Sequence, residues 1–425
     1  MGGGSSAPSR PTRRGGAWVA HAGAFLLALA VLVVTHLDLL QHPSDSARND
    51  FRTFYAAFHA VGDDVDLYEV EALSGVARET GIGAHVFPYL YPPTLAALGR
   101  PLAALSPKRA QVVWDWLSLV AMALAATLAL ACVDRSGRAS LIPVVILLLL
   151  LLPVRNNLHM GQVNPLVLVP VAAACLAYLR GWDRTAGAAL AVAALIKLVP
   201  VVLLLLWVAR RRYRAVAAFL VTGLAGALLV ALAVGLDRWL GFLGFAVDSL
   251  GGDRIEGLFA LDVVWSFSPK SAALRAFGPG AAASIASLAV VAGVAIWLFR
   301  RARRAPSDAS AAPLLLGFSV LMLLSSPVTY LHHVVYLLPG ALAVLGTSTR
   351  RAYWLVLLVV IVGTDLPLLY GRLDLSAALK PLATGVNLWG LLAIVWLSAP
   401  PLGPPASRRE GPRRDWAKKH EAHAP

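Results

Sequence analysis

Ionisable and amide side chains interrupt the apolar runs of this 425-residue chain at only a few places. Near the middle of a membrane helix a lysine or a carboxylate costs about 2.5–3.5 kcal/mol, so residues of this kind indicate a function. Carboxylates and histidines can transfer protons, whereas lysine and arginine bind anions. The candidates for such chemistry are Asp50, Arg52, Tyr55, Tyr91, His159, Gln162, Asn164, Lys197, His332 and His333. They come from separate parts of the chain at similar depth, so we expect a cavity between helices at the outer leaflet.

Most of these candidates also have a simpler structural interpretation. Asp50 can be a solvated loop acid or the N-cap of a following helix, and the two histidines can be interfacial residues at a helix start. Gln162 and Asn164 can cap a helix or bond across a helix interface. Lys197 is the hardest to explain in this way, because it lies near the middle of the apolar segment 185–209. The adjacent histidines lack the spacing and the cysteine partners of a zinc site, so no metal is expected.

The composition points to a membrane protein. Of the residues, 58% are hydrophobic and 14% are charged, whereas a soluble domain has about 25% charged residues. The net charge of +14 would suit a nucleic-acid partner. However, lysine and arginine occur in short clusters between apolar runs and not on one basic face. We therefore expect membrane lipids and no nucleic acid as partners, and a composition rich in Ala, Leu and Arg suggests a bacterial cell membrane.

Long apolar runs define the predicted transmembrane helices, because a spanning helix needs roughly 20 apolar residues. These runs are 17–40, 111–133, 139–154, 163–179, 214–235, 281–299, 312–325, 333–348, 352–371 and 382–399. The predicted fold class is all-α, a polytopic membrane protein with about 10–12 transmembrane helices. Trp114, Trp116 and Tyr336 lie near span ends and are predicted to be interfacial belt residues.

The basic connectors predict the orientation of the chain. Short connectors rich in arginine are cytoplasmic by the positive-inside rule, which places both termini in the cytoplasm. The remaining connectors are predicted to be extracytoplasmic, and these are 41–110, 155–162, 236–280, 326–332 and 372–381. The candidate site therefore faces the periplasm.

One apolar segment does not fit this alternation. Residues 185–209 begin and end at basic clusters, so the segment must enter the membrane and return on the same side. Two full spans would need about 40 residues. We predict a broken or re-entrant segment that turns at Lys197–Pro200, unless a neighbouring boundary is misplaced.

The first outer connector, 41–110, is the longest. Its residues 64–81 have helical apolar spacing and predict an amphipathic helix on the outer membrane surface. Prolines 88, 92 and 93 must then break helix. The predicted domains are a flexible basic cytoplasmic segment 1–16, a membrane domain 17–399, and a basic, disordered cytoplasmic tail 400–425.

Four segments, in order, resemble polyprenyl-phosphate-sugar-dependent glycosyltransferases of the α-1,2-mannosyltransferase type, which have the GT-C membrane fold. They are "DFRTFYAAFHAVGDDVDLY" (50–68), "YPPTLAAL" with "PLAAL" (91–105), "GQVNPLVL" (161–168) followed by "AALIKLVPVVLLL" (193–205), and "SSPVTYLHHVVYLLP" (325–339). Tyr330 departs from the family pattern, which often has Trp before the histidines. The connector 236–280 matches only loosely, and it leaves the acceptor the least determined partner.

The resemblance implies an inverting hexosyl transfer, most often of mannose. The donor would be a polyprenyl-phosphate sugar, and the acceptor a glycolipid or a cell-envelope glycan. It implies no metal and no other cofactor. The implied roles are general base for Asp50, a catalytic role for His332 or His333, phosphate binding for Lys197 and Arg52, and substrate binding for Tyr55, Tyr91, His159, Gln162 and Asn164.

Three other functions remain open from the sequence. The first keeps the fold and changes the donor to polyprenyl-phosphate-arabinose, which would make the protein an arabinofuranosyltransferase. The second is a transporter or lipid flippase, because transporters also place polar groups at broken helices. Against it, the hydropathy pattern has no inverted repeat. The third is a scaffold, which would not need acid, lysine and histidine on one side.

Overall fold

The computed structural model describes most of the chain. The described residues are 15–41, 49–63, 65–133, 138–251, 255, 261–263, 265–305, 311–347, 350–364 and 385–398. Among them every regular element is an α-helix or a short 3-10 helix, in agreement with the predicted all-α class. The predicted tail 400–425, the connector 372–381 and residues 1–14 lie outside these ranges, and the domain boundaries stay predictions.

Helices follow one another with short connections through the described ranges. The first ten are α1 (Gly15–Thr35), α2 (Leu37–Gln41), α3 (Asn49–Ala60), α4 (Val70–Glu79), α5 (Pro93–Ala103), α6 (Pro107–Ala131), α7 (Arg138–Leu149), α8 (Leu152–Met160), α9 (Asn164–Leu179) and α10 (Asp183–Ile196). The others are α11 (Leu204–Ala209), α12 (Tyr213–Val234), α13 (Asp237–Gly251), α14 (Pro269–Phe277), α15 (Ala281–Arg304), α16 (Ala311–Leu324), α17 (Leu338–Leu345), α18 (Arg350–Val362) and α19 (Val386–Ser398). Two 3-10 helices, Val199–Leu203 and Leu331–Leu337, lead into α11 and α17.

Three of these helices, α6, α12 and α15, are long and apolar enough to cross a membrane. Shorter apolar helices accompany them, including α9, α16 and α19. This is the predicted polytopic helical membrane architecture, while the number of crossings stays a prediction. Helix α16 is buried along its whole length, whereas α12 and α15 bury few of their residues within the protein. The apolar surfaces of α12 and α15 are therefore left to lipid.

The segment predicted to be broken is a helical hairpin, and the break lies where the sequence places it. Helix α10 ends at Ile196, Lys197 has extended backbone, and the chain returns through Val199–Leu203 and α11. Close packing holds the hairpin against α12. A Cβ on Gly187 would lie 2.1 Å from the Ala215 carbonyl oxygen, so a larger residue could enter only if the backbone moved.

The predicted outer connector 155–162 is wrong as a loop, because most of it is helical. The chain breaks after α7, and Pro153 sits in the first turn of α8, where a proline needs no N–H partner. Helix α8 runs to Met160 and ends at Gly161, which has φ +67. Glycine is needed there for this φ and also for space, because a Cβ would lie 2.6 Å from the Phe51 Cβ.

The first outer connector is also largely helical. The predicted amphipathic helix is present as α4, but its apolar side chains Leu73 and Val76 are buried in the protein core, so that face packs against the protein and not against the membrane surface as predicted. Non-helical chain follows, and helix resumes at Pro93, as the prolines predict. Two residues predicted for the interfacial belt are instead core residues. Trp114 is buried and donates to the Gly161 carbonyl at 2.9 Å, and Tyr336 is 1% exposed.

Candidate active site

A pocket of about 410 Å³ lies where the first outer connector, the α8–α9 junction, the α10–α11 hairpin and the 3-10 helix Leu331–Leu337 meet. Its polar walls are Asp50, Tyr91, Gln162, Lys197, His332 and His333. Its apolar wall includes Leu198, Val199, Phe242 and Phe245. The pocket therefore joins acid, base and cation groups to a hydrocarbon-like surface.

Asp50 lies in the first turn of α3, which is amphipathic and outside the apolar helices. Its neighbour Phe51 is fully buried and fixes this turn beneath Gly161. Burial raises the pKa of the Asp50 carboxyl to about 6, while the charge of Lys197 and a hydrogen bond from Gln162 act in the opposite direction. A carboxyl with this pKa is ionised at neutral pH and is still basic enough to accept a proton.

Gln162 follows the glycine that ends α8 and is 4% exposed. Its amide contacts the Asp50 carboxyl, and its Oε1 lies 3.5 Å from the Tyr91 hydroxyl, which donates. Tyr91 precedes the proline pair that starts α5, so its ring is held by non-helical backbone. These two side chains offer amide and hydroxyl groups to the same space as the carboxyl.

Lys197 reaches the pocket because the chain leaves helical geometry at this residue. Its Nζ donates to Asn164 Oδ1 at 2.8 Å and lies 3.1 Å from His333 Nε2. The same ammonium lies 5.4 Å from the centre of the Tyr91 ring, within the range of a cation–π contact. Lys197 is half-buried, and the Asn164 acceptor and the Tyr91 ring hold its ammonium in one place, as a binding group must be held.

A chain of buried amides holds Asn164 in position behind the lysine. Asn164 Oδ1 also accepts from the Tyr336 hydroxyl at 2.8 Å, and Asn164 Nδ2 donates to Asn157 Oδ1 at 2.9 Å. Asn157 Nδ2 donates to the His332 carbonyl oxygen at 2.7 Å. The network therefore links the lysine to the backbone that carries the histidines, and every amide group in it has a partner.

His333 presents a donor to the pocket. Its Nδ1 lies 3.0 Å from the Tyr330 backbone nitrogen, and a backbone N–H can only donate. Nδ1 is thus the acceptor, and the ring proton lies on Nε2. The lysine and the Nε2–H are then two donors 3.1 Å apart. An oxygen anion between them would accept from both.

Six of the predicted site residues line the pocket, and Asn164 lies directly behind them. The other three lie elsewhere. The Arg52 side chain packs 3.6 Å from the position that a Cβ on Gly83 would take. The Tyr55 hydroxyl donates to the Leu105 carbonyl oxygen at 2.7 Å, and His159 Nε2 lies 3.2 Å from Arg155 Nε.

The sequence did not single out Asn157 or Tyr336 as site residues, although both belong to the network. Tyr336 follows His333 by three residues, and in a 3-10 helix residues three apart share a face. That signal depends on knowing that 331–337 is a 3-10 helix, because an apolar run alone predicts ordinary α-helix. Asn157 lies in the predicted outer connector 155–162, and a connector gives no reason to expect a buried partner for its amide.

Metal ligands do not cluster in the described part of the chain. Among those residues, no group of three or more His, Cys, Asp or Glu side chains is arranged to hold a metal ion. The expectation of metal-independent chemistry stays a prediction.

Fold and pocket together define a polytopic helical membrane protein with a half-buried acid near a lysine–histidine pair. The family model for glycosyltransferase family 87 matches residues 89–327, more than half of the chain. The chain belongs to glycosyltransferase family 87. The predicted class, a membrane hexosyltransferase, is thereby confirmed.

Two relatives are similar to most of this chain. A polyprenol-phosphate-mannose-dependent alpha-(1-2)-phosphatidylinositol mannoside mannosyltransferase from Mycobacterium tuberculosis is 27% identical over 317 residues, which are 68% of this chain and 71% of the relative. The enzyme of the same name from Mycolicibacterium smegmatis is 28% identical over 342 residues, which are 72% of this chain and 74% of that relative.

Proposed function

We propose that the enzyme transfers mannose from polyprenyl-phosphate-mannose to a glycolipid or cell-envelope glycan at the outer leaflet. The observation that carries this proposal is that Asp50 and the Lys197–His333 pair line one pocket. Proton acceptance and anion binding, the two requirements of the reaction, are thus met in the same space. The names of the two relatives support mannose as the sugar and a polyprenyl phosphate as its carrier.

Asp50 acts as the general base in this proposal. The ionised carboxylate accepts the proton of an acceptor hydroxyl, and the acceptor oxygen forms a bond to the anomeric carbon of mannose. The bond from that carbon to the phosphate oxygen breaks on the opposite face, so the configuration inverts. A base of this kind contributes about 10²–10⁴-fold to the rate.

Lys197 and His333 receive the leaving phosphate. The ammonium and the Nε2–H donate to phosphate oxygens as negative charge moves onto them. Their separation of 3.1 Å is short enough for both to reach one phosphate group. We assign phosphate binding to this pair. Arg52 is excluded because its side chain packs near Gly83, outside the pocket. His332 lines the same wall and is a further candidate. The charge is met by side chains, so no metal is required.

The remaining walls suit the rest of the donor. Gln162 and Tyr91 offer hydrogen bonds to sugar hydroxyls beside the carboxylate. Leu198, Val199 and Phe242 form an apolar surface for the polyprenyl chain, which needs burial and no specific polar contact. The positive-inside pattern supports placing this pocket on the extracytoplasmic side.

Of the other functions that the sequence left open, transport and scaffolding do not agree with membership of a glycosyltransferase family. Arabinofuranosyl transfer keeps the same fold and the same leaving group. The experiment below therefore tests the arabinose donor alongside the mannose donor.

The test is sugar transfer by the purified full-length chain in nanodiscs. Radiolabelled polyprenyl-phosphate-mannose or polyprenyl-phosphate-arabinose would be supplied with a panel of acceptors that includes phosphatidylinositol mannosides. Wild type, Asp50→Asn and Asp63→Asn would be compared with and without a chelator. Asp63 is an exposed acid of the same connector and controls for loss of charge alone.

We expect mannose transfer by wild type and Asp63→Asn, insensitive to the chelator, and a fall of at least a hundredfold in Asp50→Asn. Transfer from the arabinose donor alone would overturn the proposal that the transferred sugar is mannose. Full activity of a folded Asp50→Asn variant would contradict the role of Asp50 as general base. Loss of activity with the chelator would contradict a metal-free mechanism.

Sidedness has its own test. A cysteine at Asp63 or at Arg214 would be introduced after replacing the native Cys132 and Cys175. A membrane-impermeant thiol reagent added to whole cells should label position 63 and not position 214. The reverse pattern would place the pocket in the cytoplasm and would contradict the proposed donor leaflet.

A further inference from the structure

A second cavity lies at the other end of the α10–α11 hairpin, away from Lys197. It is about 940 Å³ in volume and lies between the C-terminal ends of α11 and α15. Five arginines line it: Arg210, Arg211, Arg300, Arg303 and Arg304. Leu205, Ile296 and Phe299 form its apolar wall. A basic rim above an apolar wall is complementary to a phospholipid, which has an anionic head group above apolar acyl chains.

The arginines of this cavity come from two clusters that are far apart in the chain. They are brought together by Arg210, whose Nη1 donates to the Ala305 carbonyl oxygen at 2.7 Å and to the Ala302 carbonyl oxygen at 3.3 Å. Arg210 thus ties the end of the hairpin to the end of α15.

Three of those arginines have no acidic partner. Within the part of the chain that the structure describes, no carboxylate forms an ion pair with Arg211, Arg300 or Arg304. All three are exposed, and Arg211 has φ +57, an uncommon backbone conformation for a residue other than glycine. Several unpaired guanidinium groups on one rim attract an anion.

The apolar wall continues into the lipid-facing surface of α15. Ile296 is 51% exposed, and Ile285 and Leu288 further along α15 are exposed to a similar degree. A lipid in the bilayer can therefore reach the cavity sideways, with its head group at the arginines and its acyl chains along α15. A soluble phosphate would use only the rim.

We propose that this cavity binds the head group of an anionic phospholipid of the cytoplasmic leaflet. Both arginine clusters are cytoplasmic by the positive-inside rule, and that leaflet carries anionic lipids. Basic pockets between membrane helices bind such head groups. The site is distinct from the transfer pocket, and its occupant is a bound lipid and not a substrate.

A simpler explanation is that these arginines only flank membrane helices and attract anionic lipid by bulk charge. Two double variants separate the explanations. Arg211→Gln with Arg304→Gln removes one cavity arginine from each cluster. Arg214→Gln with Arg301→Gln removes the same charge from the same clusters, and neither residue lines the cavity.

The test is native mass spectrometry of the full-length chain released from nanodiscs that contain phosphatidylglycerol or phosphatidylcholine. Soluble glycerol phosphate would be added in a separate arm as a head group without acyl chains. We expect preferential retention of phosphatidylglycerol by wild type. We also expect a loss of about tenfold or more in the Arg211/Arg304 variant and less than twofold in the Arg214/Arg301 variant.

Equal losses in the two double variants would overturn the proposal in favour of bulk charge. Equal retention of phosphatidylcholine would overturn the requirement for an anion. Binding of glycerol phosphate as tight as that of the lipid would overturn the role of the apolar wall. Circular dichroism and thermal unfolding of both variants would exclude misfolding as the cause of a loss.

Discussion

The α10–α11 hairpin carries a cationic site at each end, and the two sites differ in almost every physical respect. Lys197 lies at the turn, and Arg210 and Arg211 lie where the chain leaves α11, about 19 Å away along the returning arm. Lys197 is half-buried, with Asn164 and His333 within hydrogen-bonding distance. Arg211 is exposed, and its neighbours on the cavity rim are other arginines.

This difference shows how burial decides what a positive charge can do. A half-buried ammonium with fixed partners interacts strongly with one anion in one position, because less water competes. Several solvated guanidinium groups attract any anion at the surface and are screened by salt. We therefore assign selective phosphate binding during catalysis to the first site, and lipid retention to the second.

The largest predicted difference between the two sites comes from removing one cation from each. Lys197→Met should lower kcat/KM about a hundredfold or more, because one preorganised donor to developing charge is typically worth 10²–10³. Arg211→Gln should change kcat/KM less than twofold. The measurement is mannose transfer in nanodiscs of constant lipid composition. Similar losses in both variants would mean that the two sites act as one.

Lys197→Arg tests whether a positive charge alone is sufficient at this position. The planar guanidinium cannot replace a compact ammonium held between Asn164 and His333, so we expect little recovery over Lys197→Met. Recovery to near wild-type activity would mean that charge alone is required at this position.

A second prediction concerns the packing that positions both ends of the hairpin. Gly187→Ala should lower the free energy of unfolding by about 1–3 kcal/mol, because its Cβ would overlap the α12 backbone. Gly223→Ala on α12 is the matched control, since the nearest atom to its Cβ is 3.9 Å away. Thermal unfolding in detergent is the measurement. A Gly187→Ala variant as stable as Gly223→Ala would contradict the close approach of the two helices.

The third prediction uses pH to separate the sites. Asp50 must be ionised to accept a proton, and its pKa is raised to about 6. Below that pH, kcat/KM should fall about tenfold per unit as the carboxylate is protonated, and above it should level off. Asp50→Asn should abolish this acid limb. Lipid binding at the arginine cavity should stay constant from pH 5 to 8, because arginine does not titrate there. A lipid-binding curve that followed the activity curve would contradict two independent sites.

The smallest expected effect is that of salt. Raising the salt from 50 to 500 mM should weaken phosphatidylglycerol binding several-fold, because the rim arginines are exposed. The KM for the mannose donor should change less than twofold, since we propose that its phosphate binds inside the pocket and not on an exposed rim. A larger change in KM than in lipid binding would reverse the assignment of the two sites.

The local elements of the site could be predicted with fair accuracy from the sequence. Basic clusters at both ends of 185–209 required the segment to return, and Lys197 and Pro200 marked the turn, so the hairpin was predictable. The prolines before α5 likewise predicted where the helical chain is interrupted and where it resumes. In contrast, α8 was missed, because polar residues between two apolar runs look like a connector. A helix there is visible only when Pro153 and Gly161 are seen as its two ends.

The set of site residues was predictable as a list and not as an arrangement. The residue types identified Asp50, Lys197 and the histidines, since each is costly near hydrocarbon without a function. Arg52 and Tyr55 are also polar and lie within five residues of Asp50, yet their side chains pack outside the pocket. Sequence spacing could not separate them, because which face of α3 turns toward the pocket depends on helices far along the chain.

Sequence alone was enough to predict a helical membrane protein with a few polar groups inside its apolar segments, because hydrocarbon imposes strong penalties on charge and on unpaired backbone. Which of those charges lie in a pocket and which face lipid and water could be seen only in the folded chain. Enclosure is a property of packing between distant segments: Asn164 and His333 must both reach Lys197, and Arg210 must reach the end of α15. No local pattern in the sequence encodes these contacts, and they distinguish the proposed phosphate site from the proposed lipid site.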